Sequence, residues 1–239
     1  MFALFNLKLT EKKDLKQLKM YGEYEIFSTH KEKICNNIQK YLLPDGKLDA
    51  SAIEADWFPK IDAPVFISHS HDNENLAMHL AEFLYETYQI KSFIDSTVWG
   101  SVYELLNDVD EKYAQQRKER NQNAANVYLI LQGALMKMIS QSKCLIFINT
   151  PESINIQETE SPWIYNELLM ANLFSQIRSV KTLTESAKFS YYVDLTKFTA
   201  IELQDIEREC EGKTGVKALK ALDELYEFKL DENKYLLKG

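Results

Sequence analysis

The chain has 239 residues, with 36 Asp and Glu against 28 Lys and Arg, for a formal net charge of −8. That length holds one generous α/β domain with appendages, or at most two small domains. The negative balance argues against a nucleic-acid platform, because a phosphate backbone would be repelled, and 7 Gly with 5 Pro leave little room for long disordered linkers.

Residues 1–60 read as a polar, amphipathic, helical extension. The apolar start from Met1 to Phe5 is too short for a signal peptide and has no basic leader. One helix is expected from Thr29 to Leu43, stopped by the turn signal Pro44-Asp45-Gly46. Ala55-Asp56-Trp57-Phe58-Pro59 reads as an aromatic clip or a local packing plug, packing being the ordinary reading. The pattern changes at Pro64. Val65-Phe66-Ile67 is a short apolar run ending in small polar residues, as a buried parallel strand would be. Leu76, Leu80, Phe83 and Leu84 predict a helix from Asn75 to Tyr88.

Ser92 to Asp95 is a second expected strand, followed by a loop through Ser96, Thr97, Val98, Trp99 and Gly100. Leu105, Val109 and Tyr113 mark another helix, and the polar residues 114–126 read as an insertion or a helix extension. Gly133 to Ser140 is helical, and Cys144 to Ile148 is the most strand-like run of the chain. A helix from Pro162 to Phe174, a strand at Tyr191-Tyr192-Val193, and helices near Ile201 to Cys210 and Val216 to Phe228 complete the pattern. Alternating strands and helices imply a parallel sheet covered on both faces, with ligands beyond the carboxyl ends of the strands, at the loops Ser68 to Glu74, Asp95 to Glu104 and Thr150 to Trp163. The boundaries expected are an N-terminal extension over 1–60, an α/β domain over 61–195, and C-terminal helices over 196–239 packed on that domain.

Three scattered cysteines, Cys35, Cys144 and Cys210, make no metal-type spacing and point to a reducing compartment. The longest apolar stretch, Val127 to Ile139, is broken by Gln132 and Lys137 and is too short to span a bilayer. A cytoplasmic protein without membrane or nucleic-acid partners is the expectation.

No glycine-rich dinucleotide fingerprint and no phosphate loop occurs. His69-x-His71-Asp72 after the first strand is too loose for a metal site, since alternate residues of an extended segment face opposite ways and no second ligand cluster has a recognisable spacing. No metal is expected. Trp163 and Glu167, at i and i+4, share one helix face, and Ser161 with Pro162 supplies an N-cap and a first helical position. From spacing alone the ordinary reading prevails, a Trp packed on the sheet beside a solvated Glu.

A family resemblance changes that balance. Ala63-Pro64-Val65-Phe66-Ile67-Ser68-His69-Ser70 resembles the opening strand of TIR (Toll/interleukin-1 receptor-like) domains. Phe93-Ile94-Asp95 and the loop with Gly100 resemble their second strand and BB loop, and Cys144 to Thr150 their third strand. Trp163 to Glu167 is similar to the W-x-x-x-E segment that carries the glutamate of NAD-cleaving members. Four ordered matches over about 130 residues are more specific than any one of them.

The resemblance implies a flavodoxin-like TIR fold, a parallel sheet flanked by helices. The 1–60 leader, the polar insertion near residue 120 and the two terminal helices depart from the pattern. It further implies cleavage of the nicotinamide–ribose bond of NAD+, taken as substrate with no resident cofactor. Glu167 is then the catalytic carboxylate, and the substrate-binding set is Ser68, His69, Ser70, Asp95, Trp99, Tyr103 and Trp163, with Asp95 mainly orienting the BB loop. Among family members the chain most resembles the signal-making TIR subunit of Thoeris anti-phage systems. That likeness implies an ADP-ribose-derived signal, a homo-oligomer, a phage-derived activator and a separate effector that senses the product. The rival expectation is a non-enzymatic TIR scaffold, and a more distant one is a nucleoside deoxyribosyltransferase-like enzyme.

Overall fold

Six residues at the start of the chain, Ala3–Lys8 (β1), form a strand whose first five side chains are buried. In the computed structural model, which describes residues 3–9, 16–18, 21, 38–150, 158–159, 161–176, 191–192, 195 and 198–236, β1 lies inside the principal sheet. The other strands of that sheet are Val65–Ser68 (β2), Ser92–Phe93 (β3), Cys144–Asn149 (β4) and Thr199–Ile201. Between β4 and the last of these come Glu158–Thr159 (β5) and Tyr191–Tyr192 (β6), which pair antiparallel with each other, so Thr199–Ile201 is β7. The spatial order is β3-β2-β4-β1-β7, and every pair in it is parallel.

The chain is thus α/β, with a flavodoxin-like parallel sheet flanked by helices. Two findings depart from the expected pattern. Instead of belonging to a helical leader, Ala3–Lys8 occupies a central place between β4 and β7, where Leu4, Phe5 and Leu7 are fully buried. Burying each such side chain is worth about 1.5–3 kcal/mol. The expected strand at Tyr191-Tyr192 exists, but it pairs with β5 outside the parallel sheet, and Thr199–Ile201 fills the edge position.

The chain divides into two units. The first comprises Met1–Tyr24, Asp62–Ile94 and Ile139–Gly239, and the second Glu25–Ile61 and Asp95–Met138. Among the described residues, besides the helical residues 16–18, the helices are Ala50–Trp57 (α1), Glu74–Tyr88 (α2), Asp95–Val98 (α3), Val102–Tyr113 (α4), Arg117–Gln141 (α5), Pro162–Gln176 (α6), Leu203–Cys210 (α7) and Val216–Leu236 (α8). The polar stretch 114–126 is therefore helix extension for most of its length. Of the helix expected from Thr29 to Leu43, residues 29–37 lie outside the described residues, and Ile38–Tyr41 is a 3-10 turn. Pro44-Asp45-Gly46 makes the expected turn, with Gly46 at φ +83 and the Leu43 N–H bonded to the Lys47 carbonyl at 2.7 Å. Among the described residues no helix is long and apolar enough to cross a membrane.

In the first unit α2 packs on β2 and β3, while α8 packs on β1, β7 and α7. Gly215, just before α8, donates its N–H to the Tyr88 carbonyl at the end of α2, at 2.6 Å, so both helices cover the same face. Phe5 points there and meets Tyr226 of α8 edge-on, with ring centroids 5.7 Å apart. Strand alternation then sends Asn6 to the opposite face. That face carries α6, which packs on β1. Right-handed crossovers explain the division, because β2 to β3 and β4 to β7 run in opposite directions across the sheet.

In the second unit α1 is capped by Asp49, whose carboxylate accepts from the N–H groups of Ser51 and Ala52 at 3.0 Å. Lys137 of α5 pairs with Glu54 of α1 at 2.5 Å. Trp57 and Phe58 are buried, which makes the aromatic stretch before Pro59 a packing element.

Candidate functional site

At the carboxyl end of β2 the chain turns through His69 and Ser70 into a 3-10 turn, His71–Asn73, and then into α2. Small polar residues suit this turn. The Ser70 carbonyl accepts the Asn73 N–H at 2.8 Å, and the Asn73 side-chain amide donates to the Ser70 hydroxyl at 2.5 Å. The same amide reaches the Thr150 hydroxyl at 2.8 Å, tying the loop after β2 to the end of β4. Ser68 is fully buried and its Oγ has no hydrogen-bond partner. Leaving a buried polar group in that state costs about 1–3 kcal/mol. His69 is half-buried, Ser70 buried and His71 exposed. Among the described residues no three His, Cys, Asp or Glu side chains gather as a metal site would.

Helix α6 starts as its sequence predicts. The Ser161 hydroxyl accepts the Ile164 N–H at 3.4 Å and its carbonyl the Tyr165 N–H at 3.1 Å, with Pro162 in the first helical position. Ile164, Leu168 and Ala171 form a buried stripe, and Glu167 lies in it, only 4% exposed. Trp163 is half-buried. The ordinary expectation for this pair is therefore reversed, since the carboxylate is buried and the indole partly open. Holding a carboxylate on an apolar stripe is costly unless its surroundings or a ligand compensate it. At 1.5 Å per residue Glu167 sits about 7.5 Å along α6.

Asn6 belongs to the same face of the sheet. Its row runs Ser68, Phe147, Asn6, Ala200 across β2, β4, β1 and β7. Asn6 is 8% exposed, and its Oδ1 has no hydrogen-bond partner. Asn73 and Thr150 fall within loops expected to line a site, though neither was singled out, and Asn6 lies outside every expected loop. An amide inside an apolar run, as in Leu4-Phe5-Asn6-Leu7, is the signal that could have found Asn6.

Of the expected set, Ser68, His69, Ser70, Trp163 and Glu167 belong to the first unit. Asp95, Trp99 and Tyr103 belong to the second. Asp95 starts α3 instead of ending a strand, and its carbonyl accepts the Trp99 N–H at 2.9 Å. Trp99 is 3% exposed, its indole N–H donates to the Pro59 carbonyl at 3.0 Å, and its ring meets Phe58 edge-on at 5.5 Å. The expected loop aromatic is thus a packing residue, because Phe58 and Pro59 provide an apolar seat with an acceptor. Tyr103, in the first turn of α4, is 58% exposed. Of the expected ligand loop from Thr150 to Trp163, residues 151–157 and 160 lie outside the described residues.

A cleft of about 650 Å³ lined by Thr87, Tyr88, Glu207 and Lys213 is at the other end of α2, away from the carboxyl edge of β2. Comparison with known proteins found no matching protein family, no matching curated protein and no matching solved structure.

Proposed function

We propose that this protein is a TIR-type NAD+ glycohydrolase, or an ADP-ribosyl cyclase or transferase of that kind, with Glu167 as its catalytic carboxylate. The observation that carries this reading is the burial of Glu167 on the sheet-facing stripe of α6, on the face that also holds the unpartnered Ser68 hydroxyl. A carboxylate in such surroundings exerts a stronger field than one in water.

The chemistry needs little beyond that group. The bond from the pyridinium nitrogen to the ribose carbon breaks, and its electron pair neutralises the ring nitrogen, so nicotinamide departs without a general acid. The ribosyl cation left behind is oxocarbenium-like. Glu167 stabilises that positive charge. Water then adds and loses a proton to give ADP-ribose, an adenine nitrogen gives a cyclic form, and another nucleophile gives a conjugate. Ser68, His69 and Ser70 contact ribose or phosphate, and Trp163 stacks on a base. In this reading the protein is cytoplasmic and self-assembling, a phage-derived activator switches it on, and its nucleotide product is an anti-phage signal for a separate effector.

The deciding experiment follows nicotinamide release from NAD+. Glu167→Gln and Glu167→Ala abolish it while the melting temperature shows a retained fold, and turnover like wild type in either variant removes Glu167 from the mechanism. The mass of the product identifies the acceptor.

A second reading, a TIR-like scaffold that recruits partners without catalysis, draws on Leu129 and Met136, which are exposed on α5 at a spacing of two helical turns. It requires that NAD+ be neither bound nor cleaved.

A further inference from the structure

We infer that Asn6 is a specificity-determining residue that recognises the carboxamide of the nicotinamide ring, an assignment that rests on the NAD-processing reading above. The interior of a central parallel strand ordinarily carries apolar side chains, as Leu4, Phe5 and Leu7 do here. Among them stands an amide whose buried Oδ1 has no hydrogen-bond partner in the free protein.

Asn6 and Ser68 lie on either side of Phe147 in one row and point to one face. Two strand spacings, about 10 Å, separate their backbones, so neither reaches the other within hydrogen-bonding distance. A ligand seated along the row supplies the partners that both lack. The face is the one covered by α6, whose buried stripe holds Glu167.

The surroundings choose the ligand group. Phe147 and Ala200 flank Asn6 in its row, and Ile164, Leu168 and Ala171 form the stripe of the covering helix. A group received there is mainly apolar with one hydrogen-bonding handle. A ribose, ringed with hydroxyls, suits instead the polar loop of Ser70, Asn73 and Thr150. A pyridinium ring bearing one carboxamide matches the apolar row. Its amide nitrogen donates to Asn6 Oδ1 and its carbonyl accepts from the Asn6 side-chain N–H.

Ligand choice tests this. The probes are NAD+ and its acetylpyridine analogue, in which a methyl group replaces the amide nitrogen and removes the donor. Calorimetry measures both on the Glu167→Gln protein, alone and combined with Asn6→Leu or Asn6→Ser. With Asn6 present, NAD+ binds at least roughly tenfold more tightly than the analogue. With either substitution the ratio falls to within about twofold. Asn6→Leu also raises the melting temperature, because an apolar side chain of similar size replaces an unsatisfied amide, so the lost discrimination is not a folding defect. An unchanged ratio in folded Asn6→Leu or Asn6→Ser protein overturns the assignment and leaves the NAD reading standing. No NAD+ binding to either the wild-type or the Glu167→Gln protein overturns both.

Discussion

Asn73 and Thr150, 77 positions apart in sequence, are joined by a 2.8 Å hydrogen bond from the Asn73 amide to the Thr150 hydroxyl. With the second bond of that amide, to Ser70 Oγ, it fixes the loop after β2 against the end of β4. Asn73→Ala removes both bonds. The expected loss is about 1–2 kcal/mol, read as a melting temperature lowered by roughly 2–5 °C. Faster hydrogen exchange at residues 69–73 than in β2 or β4 localises the effect. An unchanged exchange pattern contradicts the role given to this amide.

Trp99 and Tyr103 separate packing from exposure within a few residues. Trp99→Ala empties a buried site and leaves the Pro59 carbonyl without its donor, at a cost of about 3–5 kcal/mol. Tyr103→Ala, at an exposed position, changes stability by no more than about 0.5 kcal/mol. Urea unfolding of the two variants beside wild type checks the contrast. Equal, small effects would remove the packing role of Trp99.

Burial pushes the thiols of Cys144 and Cys210 up, Cys210 to about 11, and Cys210 Sγ also lies 3.7 Å from the Ala218 carbonyl. An acid whose folded pKa is raised keeps its proton in the native state after the unfolded chain has lost it. Its contribution is complete below the unfolded value near 9 and is lost as pH rises from there to about 11. For Cys210 the loss is on the order of 2 kcal/mol. Melting temperatures from pH 8 to 11 should fall, and less steeply in Cys210→Ala. The same burial keeps both thiols from iodoacetamide at pH 8 until denaturant is added.

Deletion of residues 1–9 tests the place of β1. A helical leader outside the sheet tolerates such a cut. A strand hydrogen-bonded on both sides does not, since its loss leaves β4 and β7 facing an open slot. The truncated protein is expected to lose cooperative thermal unfolding and to aggregate. A sharp transition within a few degrees of wild type would refute the central position of β1.

What the sequence made legible was whatever depends on neighbours close in the chain. The runs at β2 and β4 are continuous and apolar because both faces are buried, and the period of Leu76, Leu80, Phe83 and Leu84 sufficed for α2. Ser161 and Pro162 announced the start of α6. The burial of Glu167 was also within reach, since Ile164, Leu168 and Ala171 define a helical stripe that includes position 167. The place of β1 was not, because Asn6 and Lys8 interrupt its apolar run and its parallel partners lie more than a hundred residues away. Trp99 escaped for the same kind of reason, as its seat is made by Phe58 and Pro59, about forty positions earlier. Thr199–Ile201 is too short to carry a pattern of its own.

The central position of β1 also orders events during synthesis. Its residues leave the ribosome well before those of the strands on either side of it, which begin only at Cys144 and Thr199. At about 5–20 residues per second, the interval is on the order of ten seconds or more. During it an apolar segment waits without its partners. Asn6 travels in that segment, so its side chain reaches its final surroundings only after β7 has docked.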